Sequence, residues 1–134
     1  MAKYKQRISD RILKRKVLGK GAVLIEGPKW CGKTTTAKQL AKSVLDLGDS
    51  SVLKQSAQLI ELSPKTLLEG KTPRLIDEWQ ALPLIWDSIR SEVDKRGEPS
   101  QFILTGSSVL PEADETIHSG TGRFAYIKMR PISL

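Results

Sequence analysis

Residues 27–34 read Gly-Pro-Lys-Trp-Cys-Gly-Lys-Thr, a spacing of glycine, lysine and hydroxyl that suits a loop wrapped around an anion. In such a loop successive main-chain N–H groups converge on the anion, helped by the N-terminus of the helix that follows. Gly27 and Gly32 permit a close backbone approach that a side chain would block. Lys33 is suited to reach β- and γ-phosphate oxygens, and the Thr34 hydroxyl to ligate magnesium. Pro28, Lys29, Trp30, Cys31 and Thr35 complete the segment expected to line the phosphates. A second cluster, Leu75-Ile76-Asp77-Glu78, ends an apolar run in two carboxylates. Asp77 would hold the metal, and Glu78 would stand beside the γ-phosphate as the base that orients and deprotonates water. Taken alone, the pair also fits a first-turn helix cap. With an anion loop upstream and a strand leading in, the metal-and-base reading is favoured. A third segment, Leu104-Thr105-Gly106-Ser107-Ser108, offers Thr105 first and Ser107 second as hydroxyls for the attacking water or the γ-phosphate. Its alternative is a plain strand-ending turn.

The loop motif has force only between a strand and a helix. Ala22-Val23-Leu24-Ile25-Glu26 suits a buried parallel strand, and residues 35–47 carry apolar side chains at helical spacing: Ala37, Leu40, Ala41, Val44 and Leu45. A turn is expected at 47–51, and Val52 and Leu53 are read as the start of an edge strand. Residues 64–69 suit a helical turn capped by Ser63. Residues 73–78 form the next strand, and a helix over 83–95 follows, with Pro83 in its first turn and Leu84, Ile85, Ile89 and Val93 on one side. Trp79 and Trp86 are expected to pack on one helix face. Strands at 101–105 and 124–129 complete the pattern. Strands alternating with helices predict an α/β three-layer sandwich around a mostly parallel five-stranded sheet.

The chain has 134 residues, 39% hydrophobic and 28% charged, which predicts a single soluble domain with a real core. No apolar run approaches the roughly 18 residues that cross a bilayer, and no secretory signal is legible. The single cysteine, Cys31, allows no internal disulfide and fits a reducing compartment, so a cytoplasmic location is expected. His118 is the sole histidine and has no metal-ligand neighbours, which argues against zinc. The net charge is +7, and Lys3, Lys5, Arg7, Arg11, Lys14, Arg15, Lys16 and Lys20 face only Asp10 in the first twenty residues. Ile8, Ile12, Leu13 and Val17 recur there at helical spacing, which predicts a basic helix over 1–20 docked on a core of 21–134. Such a stripe can follow a nucleic-acid backbone, but a solvated helix face accounts for it more simply.

Four segments together resemble one family: the loop through Ala37, Arg74-Leu-Ile-Asp-Glu-Trp-Gln80, Phe102-Ile-Leu-Thr-Gly-Ser107, and His118-Ser-Gly-Thr-Gly-Arg-Phe124 with Met129-Arg130-Pro131. They resemble prokaryotic AAA-like ATPases in which this domain precedes a C-terminal domain of unknown function. The resemblance implies a P-loop core of the additional-strand type, with an extra strand between the loop strand and the Asp-Glu strand. It implies ATP and magnesium as ligands, with Lys33 and Thr34 in the loop, Asp77 and Glu78 as the acidic pair, and a polar sensor at 105–107. Gly122-Arg123 is similar to the element that places an arginine on a neighbouring subunit's γ-phosphate, so Arg123 would act in trans within a homo-oligomer. The chain stops at Leu134 where relatives continue, so it is expected to lack lid and C-terminal domains.

Two other functions share parts of this pattern. A P-loop kinase of a nucleotide or small metabolite would use the same loop but has no need of a water-activating Glu78. A nucleotide-gated module that binds DNA or a protein partner would rest on the basic N-terminus.

Overall fold

Five short strands, β1 (Ala22–Glu26), β2 (Ser43–Asp46), β3 (Arg74–Asp77), β4 (Phe102–Gly106) and β5 (Phe124–Lys128), pair into one sheet. The order is β2-β3-β4-β1-β5, and every pairing is parallel. The computed structural model describes residues 19–27, 33–106 and 124–128. Around the sheet lie α1 (Lys33–Lys38), α2 (Ser50–Leu62), α3 (Pro64–Leu68), a 3₁₀ turn (Trp79–Ala81) and α4 (Leu84–Arg96). β4 lies between the loop strand β1 and the acidic strand β3, as the additional-strand reading requires.

β1 and β4 are buried along their whole length because both faces of the sheet are covered there. Ala22, Leu24, Ile76, Phe102 and Leu104 point to one face and pack with Ile60, Leu67, Leu68, Ile85, Ile89 and Val93 from α2, α3 and α4. Val23, Ile25, Leu75 and Ile103 point to the other face, where they meet Ala37 of α1. This alternation, two residues per repeat, assigns every strand residue to a face. Among the described residues, no helix is long and apolar enough to cross a membrane.

The helix expected over 35–47 is split. α1 ends at Lys38, the chain turns as Leu40 N and Ala41 N both bond to Ala37 O, and Ser43–Asp46 becomes the edge strand. Ala37, Leu40 and Ala41 do share the α1-side core, but Leu45 and Leu47 enter the opposite core at strand period. The spacing suited both readings, and pairing with β3 decided between them. Val52 and Leu53, read as an edge strand, instead lie in α2, whose start is fixed by Asp49. The Asp49 carboxylate accepts from Ser51 N at 2.9 Å and Val52 N at 3.4 Å, a complete N-cap.

Residues 64–68 are helical as expected, but Ser63 does not cap them with its side chain: its hydroxyl lies 2.8 Å from Thr66 Oγ1. In α4, Ile85, Ile89 and Val93 are buried, whereas Leu84, expected beside them, is 60% exposed. Gly97 closes that helix in the left-handed region at φ 62°, with its N–H on Val93 O. Trp79 and Trp86 do pack together, centroids 5.4 Å apart, but from two elements, the 3₁₀ turn and α4. The basic helix expected over 1–20 lies outside the described residues up to residue 18.

Candidate nucleotide site

Parallel pairing brings the C-terminal ends of β1, β3 and β4 to one edge. Glu26 is level with Gly106, Ile76 is level with Leu104, and Gly27 N donates to Gly106 O at 3.2 Å. Gly27, the first loop residue, is thereby fixed beside the end of β4. α1 begins with Lys33 and Thr34 on the sheet face toward which Leu75, Ile103 and Ile25 point. By strand alternation Asp77 and Thr105 share that face.

There the Thr34 hydroxyl donates to Asp77 Oδ1 at 3.0 Å, joining α1 to β3. Thr105, fully buried, donates its hydroxyl proton to the same Asp77 oxygen. Its oxygen in turn accepts Glu78 N at 3.2 Å. Asp77 is 9% exposed, and a carboxylate so enclosed is costly unless hydrogen-bonded. Each charge-assisted bond offsets about 1.5–3 kcal/mol of that cost. Thr105 thus bridges the acidic pair, its one proton going to Asp77 and its oxygen receiving the Glu78 amide.

Glu78 adopts the left-handed conformation, φ 59° and ψ 54°, immediately after β3. A non-glycine residue there costs about 1–2 kcal/mol and persists only where its surroundings hold it. The amide bond to Thr105 and the 3₁₀ bond from Ala81 N to Glu78 O, 3.0 Å, do so. The side-chain stem leans on the β2–α2 turn: a Cβ at Gly48 would lie 3.5 Å from Glu78 Cγ. Leu47 N, bonded to Asp77 O at 3.0 Å, extends the β2–β3 ladder into that turn.

Of the residues expected to form the site, Gly27, Thr34, Asp77, Glu78 and Thr105 thus converge on one sheet edge. Thr35 lies on α1 with its side chain exposed, and Lys33 opens that helix. Pro28, Lys29, Trp30, Cys31, Gly32, Ser107 and Arg123 lie outside the described residues. Sequence reasoning passed over Gln80 and Glu26. The Gln80 carboxamide lies against Gly106, and Glu26 is 1% exposed at the end of β1. A glycine closing an apolar strand was the available signal for a neighbour pressed on it.

An all-parallel sheet with β4 inserted, a helix opening after β1, and a buried aspartate bonded to that helix's threonine define a P-loop nucleotide-binding core of the AAA-like, additional-strand type. A family model described as an AAA domain matches residues 19–134, so the chain belongs to the AAA domain family. It is accordingly a nucleotide-binding, ATPase-like domain. No curated protein matches the chain. Among solved structures it is similar to C. elegans PCH-2, at 18% identity and a TM-score of 0.47 over 80% of this chain and 35% of that one. The chain therefore spans about a third of that protein's chain.

Proposed function

We propose that this domain binds Mg-ATP on residues 27–35 and hydrolyses it with water activated by Glu78. The observation that carries the reading is the Thr34–Asp77 hydrogen bond, which ties the loop helix to the acidic strand. Lys33 binds the β- and γ-phosphates, and the loop amides from Gly27 to Gly32 enclose them. Glu78 orients the attacking water and takes its proton as the oxygen bonds to the γ-phosphorus and the bond to the β-phosphate oxygen breaks. Thr105 holds Asp77 and Glu78 in register with each other, and Ser107 is kept as a second hydroxyl for the γ-phosphate.

Magnesium fits the donors present. Thr34 and Asp77 offer hard oxygen ligands, and among the described residues no three carboxylates, imidazoles or thiols form an all-protein cage. A small divalent cation that takes one or two protein oxygens, with phosphate and water completing its shell, suits such a site. When bound it supplies charge neutralisation on the triphosphate.

Arg123 is kept in the role the family resemblance implies, acting on a neighbouring subunit's γ-phosphate in a homo-oligomer. A cytoplasmic location and a core over 21–134 preceded by a basic helix belong to the same reading.

Titration with ATP and with a non-hydrolysable analogue, followed by phosphate release, tests it. Lys33→Ala should abolish binding of both. Glu78→Gln should keep binding and lose about a hundredfold or more in turnover. A Glu78→Gln chain that hydrolyses at the parent rate would falsify the assignment of the base. A phosphorylated metabolite in place of free phosphate would convert the reading to a kinase.

A further inference from the structure

The two faces of the sheet edge carry different chemistry. Thr34, Asp77 and Thr105 meet on the α1 face. Gly106 faces the other way, because it follows Leu104 by two residues and Leu104 packs in the core under α4. A Cβ at Gly106 would lie 2.5 Å from Gln80 Nε2, 2.6 Å from Oε1 and 2.7 Å from Cδ. The Gln80 carboxamide thus fills the space where a side chain would stand. Gly106 is not among the positive-φ glycines, so what excludes a side chain there is Gln80 and not the backbone conformation. Buried Glu26, level with Gly106, shares this face on the neighbouring strand. Gly106 O also receives Gly27 N, so the seat of Gln80 is the strand end that holds the entry to the phosphate loop.

Gln80 follows Glu78 by two residues, within the 3₁₀ turn that Glu78 opens. The Glu78 amide is held from the α1 face by the Thr105 hydroxyl. Gln80 provides a second hold on the same turn from the opposite face. We infer that Gln80 is a positioning residue for hydrolysis, its carboxamide seated on Gly106 and fixing the turn that directs Glu78 at water. This rests on the hydrolysis reading above. Gln80 acts through Glu78, so its loss lowers turnover and spares nucleotide affinity, which depends on the loop, Thr34 and Asp77.

Two substitutions unseat it independently. Gln80→Ala removes the carboxamide. Gly106→Ala places a methyl in its seat, and because the obstructing atoms end a flexible side chain, the chain still folds and Gln80 swings away. Single-turnover phosphate release should fall roughly tenfold to a hundredfold in each variant. The Kd for a non-hydrolysable analogue and the melting midpoint should stay near the parent's. The double variant should be no slower than the slower single one, and Gln80→Ala should cost nothing further in a Glu78→Gln background.

Parent-like turnover in Gln80→Ala overturns the inference. So do losses that multiply in the double variant, or a Gln80→Ala chain that loses affinity and melting temperature together, which marks a merely structural side chain. A parent chain that releases no phosphate overturns the hydrolysis reading and this one with it. A parent that does, matched by Gln80→Ala, overturns only the role of Gln80.

Discussion

Thr34 Oγ1 and Asp77 Oδ1 lie 3.0 Å apart, a hydrogen bond between residues 43 positions apart in the chain. It closes the gap between a helix on one face of the sheet and the end of a strand two places from β1. The two oxygens proposed to share a cation are thus held side by side by the fold itself. Preorganisation of this kind reduces the ordering cost of binding.

Thr34→Ala removes both the proposed ligand oxygen and the donor to Asp77. ATP affinity should fall about tenfold to a hundredfold in magnesium, the equivalent of one charge-assisted contact. In excess chelator the parent and the variant should bind alike. Calorimetric titration under both conditions checks this, and equal losses with and without magnesium would place Thr34 outside the metal's reach.

Thr105→Val keeps the shape and removes the hydroxyl that serves Asp77 and Glu78 N together. Leaving those buried groups short of a partner should cost about 1–3 kcal/mol in urea unfolding. Turnover should fall as well, since Glu78 loses its amide anchor. Thr105→Ser, which restores the hydroxyl, should recover most of both; if it behaves like valine, packing of the methyl is what matters.

Asp49 caps α2, and hydrogen bonds from the Ser51 hydroxyl, then the Val52 and Ser51 amides, hold its carboxyl below the usual value of 3.8. A depressed folded-state pKa adds stability that is present above the unfolded value and lost as pH falls through the folded one. Stability of the parent should therefore drop as pH falls below 3.8, and Asp49→Asn, which still caps but cannot titrate, should drop less steeply there. Melting curves across that range, compared between the two chains, measure the difference.

Arg96 offers a contrast remote from the site. Its guanidinium bonds Glu92 Oε2 at 2.9 Å, Gln101 Oε1 at 2.9 Å and Leu68 O at 3.4 Å, and lies 5.0 Å from the Phe102 ring centroid. Lysine cannot reproduce that fork. Arg96→Lys should lower unfolding stability by about 1–3 kcal/mol while ATP affinity is unchanged. A variant with parent stability would show that the fork contributes little.

Legibility differed among segments for physical reasons. β1, β3 and β4 could be read because strands covered on both faces must be short, apolar and bounded by turns, as around Leu24, Ile76 and Leu104. The Ser43–Asp46 strand could not, since Ala37, Leu40, Ala41, Val44 and Leu45 satisfy a helical repeat and only the partner β3 selects the extended form. Asp49 is an N-cap in plain view, but Val52 and Leu53 after it suit a strand by propensity. Leu84 met the helical pattern and is still 60% exposed, because among the described residues no element covers that side of the first turn of α4.

From the sequence alone came the chemistry: a loop fit for phosphates, an aspartate and glutamate at the end of a strand, and a threonine ending another. Those residue types and their local spacing are set by what the groups can donate, accept or bind, which no fold alters. Tertiary structure alone decided how they combine. Parallel pairing put Thr34, Asp77 and Thr105 on one face, and the left-handed turn at Glu78 put Gln80 against Gly106 on the other. Such contacts join residues far apart in the chain, so they follow from strand order and face, which local spacing does not encode.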